Sequence, residues 1–202
     1  MMKYALLLFC IFLVSCGARN RNPSTREYYL ELQGQWISPC ISFMNQYRIQ
    51  NMVFDGYNLT NKETVYQDDQ CSIPLTESVI QTKFDLGQDM SRILDRGHQI
   101  FLRPESVALK PVSTQAAADF NASSTCGYND WVVDEYKDVS GRQCDANDKA
   151  NPEVGKTYLN LIKIVENILT FGNDRCEIDN SCFEFYGQKY PKEYYPFGLQ
   201  KQ

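Results

Sequence analysis

The 202-residue chain reads as mainly β: one antiparallel β-barrel with one or two short helices, stapled by disulfides. Three observations predict this. Short segments rich in Tyr, Phe, Val, Ile and Thr follow one another, cut at short intervals by Gly, Asn and Asp. Within residues 79–86 apolar and polar side chains alternate, with Ile80, Phe84 and Leu86 on one face and Gln81, Lys83 and Asp85 on the other. Six cysteines lie between positions 40 and 182, the usage of an oxidising compartment. Many short strands in one core-sized domain imply a barrel or a sandwich, and closure into a barrel removes the exposed sheet edges.

The leader comes first. One positive charge, Lys3, precedes an apolar run over residues 5–14. That run is too short to span a bilayer, which takes about 20 residues, and it fits a secretory signal peptide. Leu13, Val14, Ser15 and Cys16 then form a lipobox, the pattern read by bacterial lipoprotein-processing enzymes. Ser15 suits the peptidase site, and the Cys16 thiol is the nucleophile that receives diacylglycerol. Residues 1–15 are thus expected to be removed, and acyl chains such as palmitate on Cys16 to anchor the protein, at ~0.8 kcal/mol per buried methylene. Gly17 rather than Asp after the cysteine points to the outer membrane of a bacterial envelope rather than the inner. Residues 16–26, with Arg19, Arg21 and Arg26, read as a polar tether near lipid headgroups, and residues 27–202 as the domain.

Within the domain, residues 26–32 suit one helical turn capped by Ser24 or Thr25. Residues 34–38 open the first strand and 47–54 make the second, with a bulge expected near Asn51 and Met52 where the alternation breaks. Asp55-Gly56 is a hairpin turn, and residues 57–66 form the third strand. Strands follow at 79–86, 100–102 and 106–109. Ser113 or Thr114 caps a short helix carrying Ala116, Ala117 and Phe120, after which 131–133 returns to β. Residues 137–156 read as a polar excursion. Residues 158–164 and 168–171 make a hairpin turning at Glu166-Asn167, and the C-terminus is an aromatic tail with Phe183, Phe185, Tyr186, Tyr190, Tyr194, Tyr195 and Phe197.

Cys40, Cys71, Cys126, Cys144, Cys176 and Cys182 suggest three disulfides. Fifteen pairings are open, of which nearest neighbours are the simplest. No pair has the two-residue spacing of a zinc knuckle and His98 is the sole histidine, so no metal centre is expected from these residues. The net charge of −5 disfavours a nucleic-acid surface.

Gly34-Gln35-Trp36, opening the first strand after a helical turn, resembles the start of lipocalins. The longer pattern joins Trp36, Cys40, Phe54, Tyr66-Gln67-Asp68, Cys71, Pro74, Asn121, Cys126-Gly127-Tyr128-Asn129-Asp130-Trp131 and Leu169-Thr170-Phe171-Gly172. It is similar to a group of bacterial lipocalin-like lipoproteins and, more distantly, to the adenomatosis-polyposis-coli down-regulated domain of secreted Wnt antagonists. The resemblance implies a lipocalin-like barrel able to hold an apolar ligand, with Trp36 closing one end and Cys40–Cys71 stapling adjacent strands. Two later lipocalin motifs, a Thr-Asp-Tyr-like turn and a late Arg packing on the Trp, have no counterpart here.

Trp36, Phe54, Phe84 and Trp131 are the candidate cavity-lining or barrel-end residues. No catalytic set emerges. His98, in the polar run Asp95-Arg96-Gly97-His98-Gln99, reads as an exposed loop residue, and without it a Ser or Cys nucleophile lacks a proton acceptor. Asp145-Ala146-Asn147-Asp148 begins like a calcium loop, but Lys149 and Ala150 stand where an oxygen ligand and a glycine are needed. Asp174, Glu177 and Asp179 are a weaker acidic group. The triplets Asn58-Leu59-Thr60 and Asn121-Ala122-Ser123 fit a glycosylation pattern that has no meaning behind a lipobox. The expected function is non-enzymatic and needs no cofactor: a membrane-anchored envelope protein that binds or shields a small apolar ligand. The alternative is an interaction protein that meets an envelope partner through residues 137–156 and its aromatic tail.

Overall fold

The computed structural model describes residues 25–43, 46–90, 97–144, 150–172, 183–185, 188–190 and 194–202. Helix α1 (Thr25–Leu32) leads into β1 (Gly34–Ile37) and β2 (Ile41–Phe43). A meander follows: β3 (Gln46–Asp55), β4 (Asn58–Tyr66), β5 (Pro74–Asp89) and β6 (Gly97–Pro111). Then come α2 (Thr114–Ser123), a 3-10 turn Thr125–Gly127, β7 (Lys137–Asp138), and the hairpin of β8 (Tyr158–Val165) and β9 (Ile168–Phe171). A small hairpin, β10 (Phe183–Phe185) with β11 (Gln188–Tyr190), precedes β12 (Leu199–Lys201).

Eight antiparallel strands close a barrel in the order β1, β12, β9, β8, β6, β5, β4, β3 and back to β1. The closing pairs set Trp36 opposite Met52 on one side and Lys201 on the other. β2 extends β3, and β7 lies beside the end of β6 that β8 leaves unpaired. The expected mainly β, disulfide-stapled barrel with two short helices is therefore present. Its turns follow from local chemistry. Gly56 takes φ +56° in the two-residue β3–β4 turn, a conformation without cost when there is no Cβ. Glu166 and Asn167 both take positive φ, as a two-residue β8–β9 hairpin of the primed type demands. Ser113 caps α2, its side chain accepting from the Ala116 N–H at 3.0 Å.

Several boundaries differ from those expected. The β3–β4 ladder runs without interruption from Tyr47 opposite Tyr66 to Asp55 opposite Asn58, so no bulge falls at Asn51–Met52. The segments 100–102 and 106–109 are one strand. Pro104 cannot donate a ladder hydrogen bond, and the strand absorbs it as an irregularity opposite Gln81/Thr82 with Glu105 as the extra residue. Residues 131–133 are not strand, because Trp131 turns inward to pack. β12, which closes the barrel, is too short to show a period.

The main core sits at one end of the barrel. α1 seals it with Tyr28 and Leu32, which pack on Trp36, Met52, Phe54, Leu59, Phe84, Ile100, Ile162, Ile164, Leu169 and Leu199. Trp36 ties helix to barrel: its indole Nε1 donates to the Leu32 carbonyl at 2.7 Å, satisfying a helix-terminal acceptor. A second cluster joins Val107, Cys126, Trp131 and Val139 with Ile80, Leu109 and Phe120, where α2 and its following turn cover β5 and β6. Cys40–Cys71 and Cys126–Cys144 are disulfides across sequence separations of 31 and 18, as nearest-neighbour pairing predicts. Cys176 and Cys182 lie outside the described residues. None of the described helices is long and apolar enough to cross a membrane.

Candidate functional site

Side chains alternate along a strand, so the core residues identify which neighbours also point into the barrel. Phe54 and Met52 are core on β3, so Gln50 and Arg48 share their face. Leu59 on β4 brings Asn61 and Glu63 with it, and Phe84 on β5 brings Thr82, Ile80 and Ser78. The register places Asn61 between Met52 and Ile80, and Glu63 between Gln50 and Ser78. Above the sealed end, the inner wall therefore turns polar.

These wall residues are organised. Glu63 accepts from Arg48 Nη1 at 3.1 Å through one carboxylate oxygen and from Gln50 Nε2 at 3.0 Å through the other. Arg48 Nη2 donates to Gln46 Oε1 at 3.0 Å. The backbone N–H of Gln50 donates to Ser38 Oγ at 2.9 Å, tying the wall to the end of β1. Asn61 Oδ1 is buried and accepts no hydrogen bond. Although they point inward, the Arg48 and Glu63 side chains keep 13% and 21% of their exposure, so solvent reaches the barrel interior here. Val65 shares their face, also half-buried, while Ile80 beside Asn61 packs into the cluster around Val107 and Trp131.

Of the four residues expected to line a cavity or close an end, Trp36, Phe54 and Phe84 all stand in the core beneath this wall. Phe54 and Phe84 meet edge to face at 5.2 Å. Trp131 lies in the second cluster. Asn121 clamps its backbone, donating to the Trp131 carbonyl at 3.0 Å and accepting its N–H at 2.6 Å, while the indole donates to the Thr125 carbonyl. Phe120 and Tyr128 meet its ring at 5.1 and 5.6 Å, and Lys137 and Arg142 stack on Tyr128 at 5.0 and 4.4 Å. This gives the run Cys126 to Trp131 a packing role. Leu13, Val14, Ser15 and Cys16 lie outside the described residues, as do Asp145 to Lys149 and Asp174 to Asp179. Among the described residues no group of three His, Cys, Asp or Glu could hold a metal ion.

His98 is not an exposed loop residue. It is the second residue of β6, 1% exposed, with its ring centroid 3.9 Å from that of Tyr28 on α1. The polar sequence around it is misleading because β6 starts at Gly97 and turns His98 inward, opposite Ile162. Neither ring nitrogen has a hydrogen-bond partner, and Asp89 Oδ1 is 4.0 Å from Nε2. Burial holds its pKa below the ordinary histidine value, and Asp89 opposes this only in part. Burial also pushes the Tyr28 hydroxyl well above the usual tyrosine range.

On the outer face, Glu77 gathers Lys62, Tyr136 and, at 3.5 Å, Lys110. Burial raises its carboxyl, but the hydrogen bonds from Lys62 and Tyr136 outweigh that and hold it below the usual carboxylate range. This network fastens the segment before β7 to the sheet. It shows no reactive pair: the carboxylate is neutralised and the phenol is held protonated. Neither it nor the inner wall sets a nucleophile beside a base.

Sequence reasoning missed the inner wall. Arg48, Gln50, Asn61 and Glu63 look like the polar side of half-exposed strands until the register shows which way they face. Compared with known proteins, the chain matches no family model and no curated sequence.

Proposed function

We propose that this protein is a lipid-anchored component of a bacterial envelope whose barrel binds or shields a small, largely apolar ligand without transforming it. The observation that carries the reading is the half of the barrel that α1 does not plug. There Arg48, Asn61 and Glu63 face inward and yet remain only half-buried. A barrel built only for stability would fill that space with hydrocarbon, because inward polar groups are costly unless something wet or complementary meets them. The sealed end supplies an apolar floor, and the resemblance to lipocalin-like lipoproteins agrees with such use. Lipid on Cys16 would hold the barrel at the membrane, outer rather than inner by Gly17.

Native mass spectrometry of the protein extracted from its envelope tests both parts. An N-terminal peptide beginning at acylated Cys16, with a co-purified apolar molecule at one per chain, is the expected result. An unmodified N-terminus would overturn the anchor. A protein that stays empty and takes up no lipid probe would overturn the ligand. The alternative, a protein-binding role, draws on the exposure of Ile73, Val132 and Val154, at 51%, 49% and 52%. A stoichiometric partner lost on replacing these three with serine is the result that would favour it.

A further inference from the structure

The barrel end that α1 seals also carries the β3–β4 turn, the β8–β9 turn, the start of β1 and the last residues of β12. Gln33, just past α1, donates through Nε2 to the Gly56 carbonyl at 3.4 Å, and Lys201 Nζ donates to the Glu31 carbonyl at 2.5 Å. Helix and turns therefore form one surface. Three large apolar side chains stand outward on it. Tyr28 and Leu32 face the core, which turns Leu30 to the opposite face of α1, where it is more than half exposed. Tyr57 shares the β3–β4 turn with Gly56 and is also more than half exposed. Ile168 follows the β8–β9 turn and points outward because Leu169 points into the core; it too is exposed. Single apolar side chains are ordinary on a surface, but these three share one end of the molecule.

The position of the anchor says what covers them. Thr25 follows Cys16 by nine residues, so even a fully drawn-out chain keeps the start of α1 within about 30 Å of lipid on that cysteine. Resting on the lipid-anchored reading above, we propose that the sealed end docks on the bilayer surface, with Leu30, Tyr57 and Ile168 entering its interfacial layer. The wall lined by Arg48 and Glu63, farther along β3 and β4, then points away from the membrane. Tyr57 suits that layer, since its ring is apolar while its hydroxyl meets water and headgroups. Charge does not drive the contact: Arg26 and Lys201 stand at this end with Glu27, Glu31, Asp55 and Glu166, leaving no basic excess for an anionic surface. Docking depends on apolar burial and the short tether, so zwitterionic phospholipid suffices.

The test uses the full protein, extracted with its lipid and reconstituted in phosphatidylcholine vesicles that carry a phospholipid photoactivatable near its headgroup. Labelled peptides are mapped by mass spectrometry. Those holding Leu30, Tyr57 and Ile168 are expected to take roughly tenfold more label than those holding Ile73 and Val132, which are also exposed but lie towards the opposite end. Replacing Leu30 and Tyr57 together with serine should lower the sealed-end labelling roughly fivefold while the acylated Cys16 peptide stays unchanged. Should that variant fold poorly by circular dichroism, the ratio between the two ends in the unmodified protein decides alone. Label spread evenly, or concentrated at Ile73 and Val132, with Cys16 acylated, overturns the docking face and leaves the anchor standing. A well-folded double variant labelled like the unmodified protein does the same. Labelling of the sealed end that appears only when anionic phospholipid is added assigns the contact to basic residues and also overturns the proposal. An N-terminal peptide without acyl chains overturns the anchor, and the docking face then stands or falls on whether the sealed end is labelled.

Discussion

Replacing His98 by leucine should stabilise this protein, and most strongly in acid. The imidazole is 1% exposed, packed against the Tyr28 ring, and has no hydrogen bond at either nitrogen. A polar group buried in that way costs roughly 1–3 kcal/mol, so a leucine of similar volume should raise the unfolding free energy by about 1–2 kcal/mol near pH 8. Acid enlarges the difference. Burial places the folded-state pKa of His98 below its unfolded value of ~6.5, so below that pH the unfolded chain binds the proton more readily. The stability associated with the neutral ring is complete above the unfolded value and is lost as pH falls from there through the folded value. The slope is at most ~1.4 kcal/mol per pH unit. Between pH 7.5 and 5.0 the wild type should lose up to about 2 kcal/mol that His98→Leu retains. Urea unfolding followed by tryptophan fluorescence at both pH values gives the comparison. Carboxylate titrations common to the two proteins cancel in the difference. Parallel pH dependence, or a destabilised variant at pH 8, would refute the assignment of His98 as a neutral, unpartnered core group.

Three further outcomes follow from packing and covalent geometry. Trp36→Ala should cost about 3–5 kcal/mol, whereas Trp36→Phe, which chiefly removes the bond to the Leu32 carbonyl, should cost nearer 1–2; urea midpoints at constant slope check both. Replacing Cys40 and Cys71 with serine should cost about 3–4 kcal/mol from the 31-residue separation, and Cys126 with Cys144 slightly less from 18, measured as the drop in unfolding free energy of each double variant. Gly87→Ala should destabilise by roughly 1–3 kcal/mol, because a Cβ there would stand 2.5 Å from Gln99 Oε1 and 2.7 Å from the Phe101 ring; thermal unfolding of the single variant measures it.

What the sequence alone determined is local or periodic. Alternation at Ile80, Phe84 and Leu86, the glycine at position 56 and the serine at 113 act through the few residues beside them, so β5, the β3–β4 turn and the α2 cap were readable. The cysteine count pointed to disulfides but left fifteen pairings open, and the structure joins Cys40 to Cys71 and Cys126 to Cys144, the nearest-neighbour choice with the shortest loops. The rest depends on register between strands far apart in sequence. A one-residue shift reverses which face looks inward, and nothing within residues 46–66 says that Arg48, Asn61 and Glu63 meet inside a closed barrel. Closure itself rests on β12, three residues whose identity matters less than the free edges of β1 and β9 that they join. His98 was misread for the same reason. Its neighbours in the chain are polar, but its neighbours in space are Tyr28 and Ile162, brought there by a helix and a strand that the local sequence does not mention.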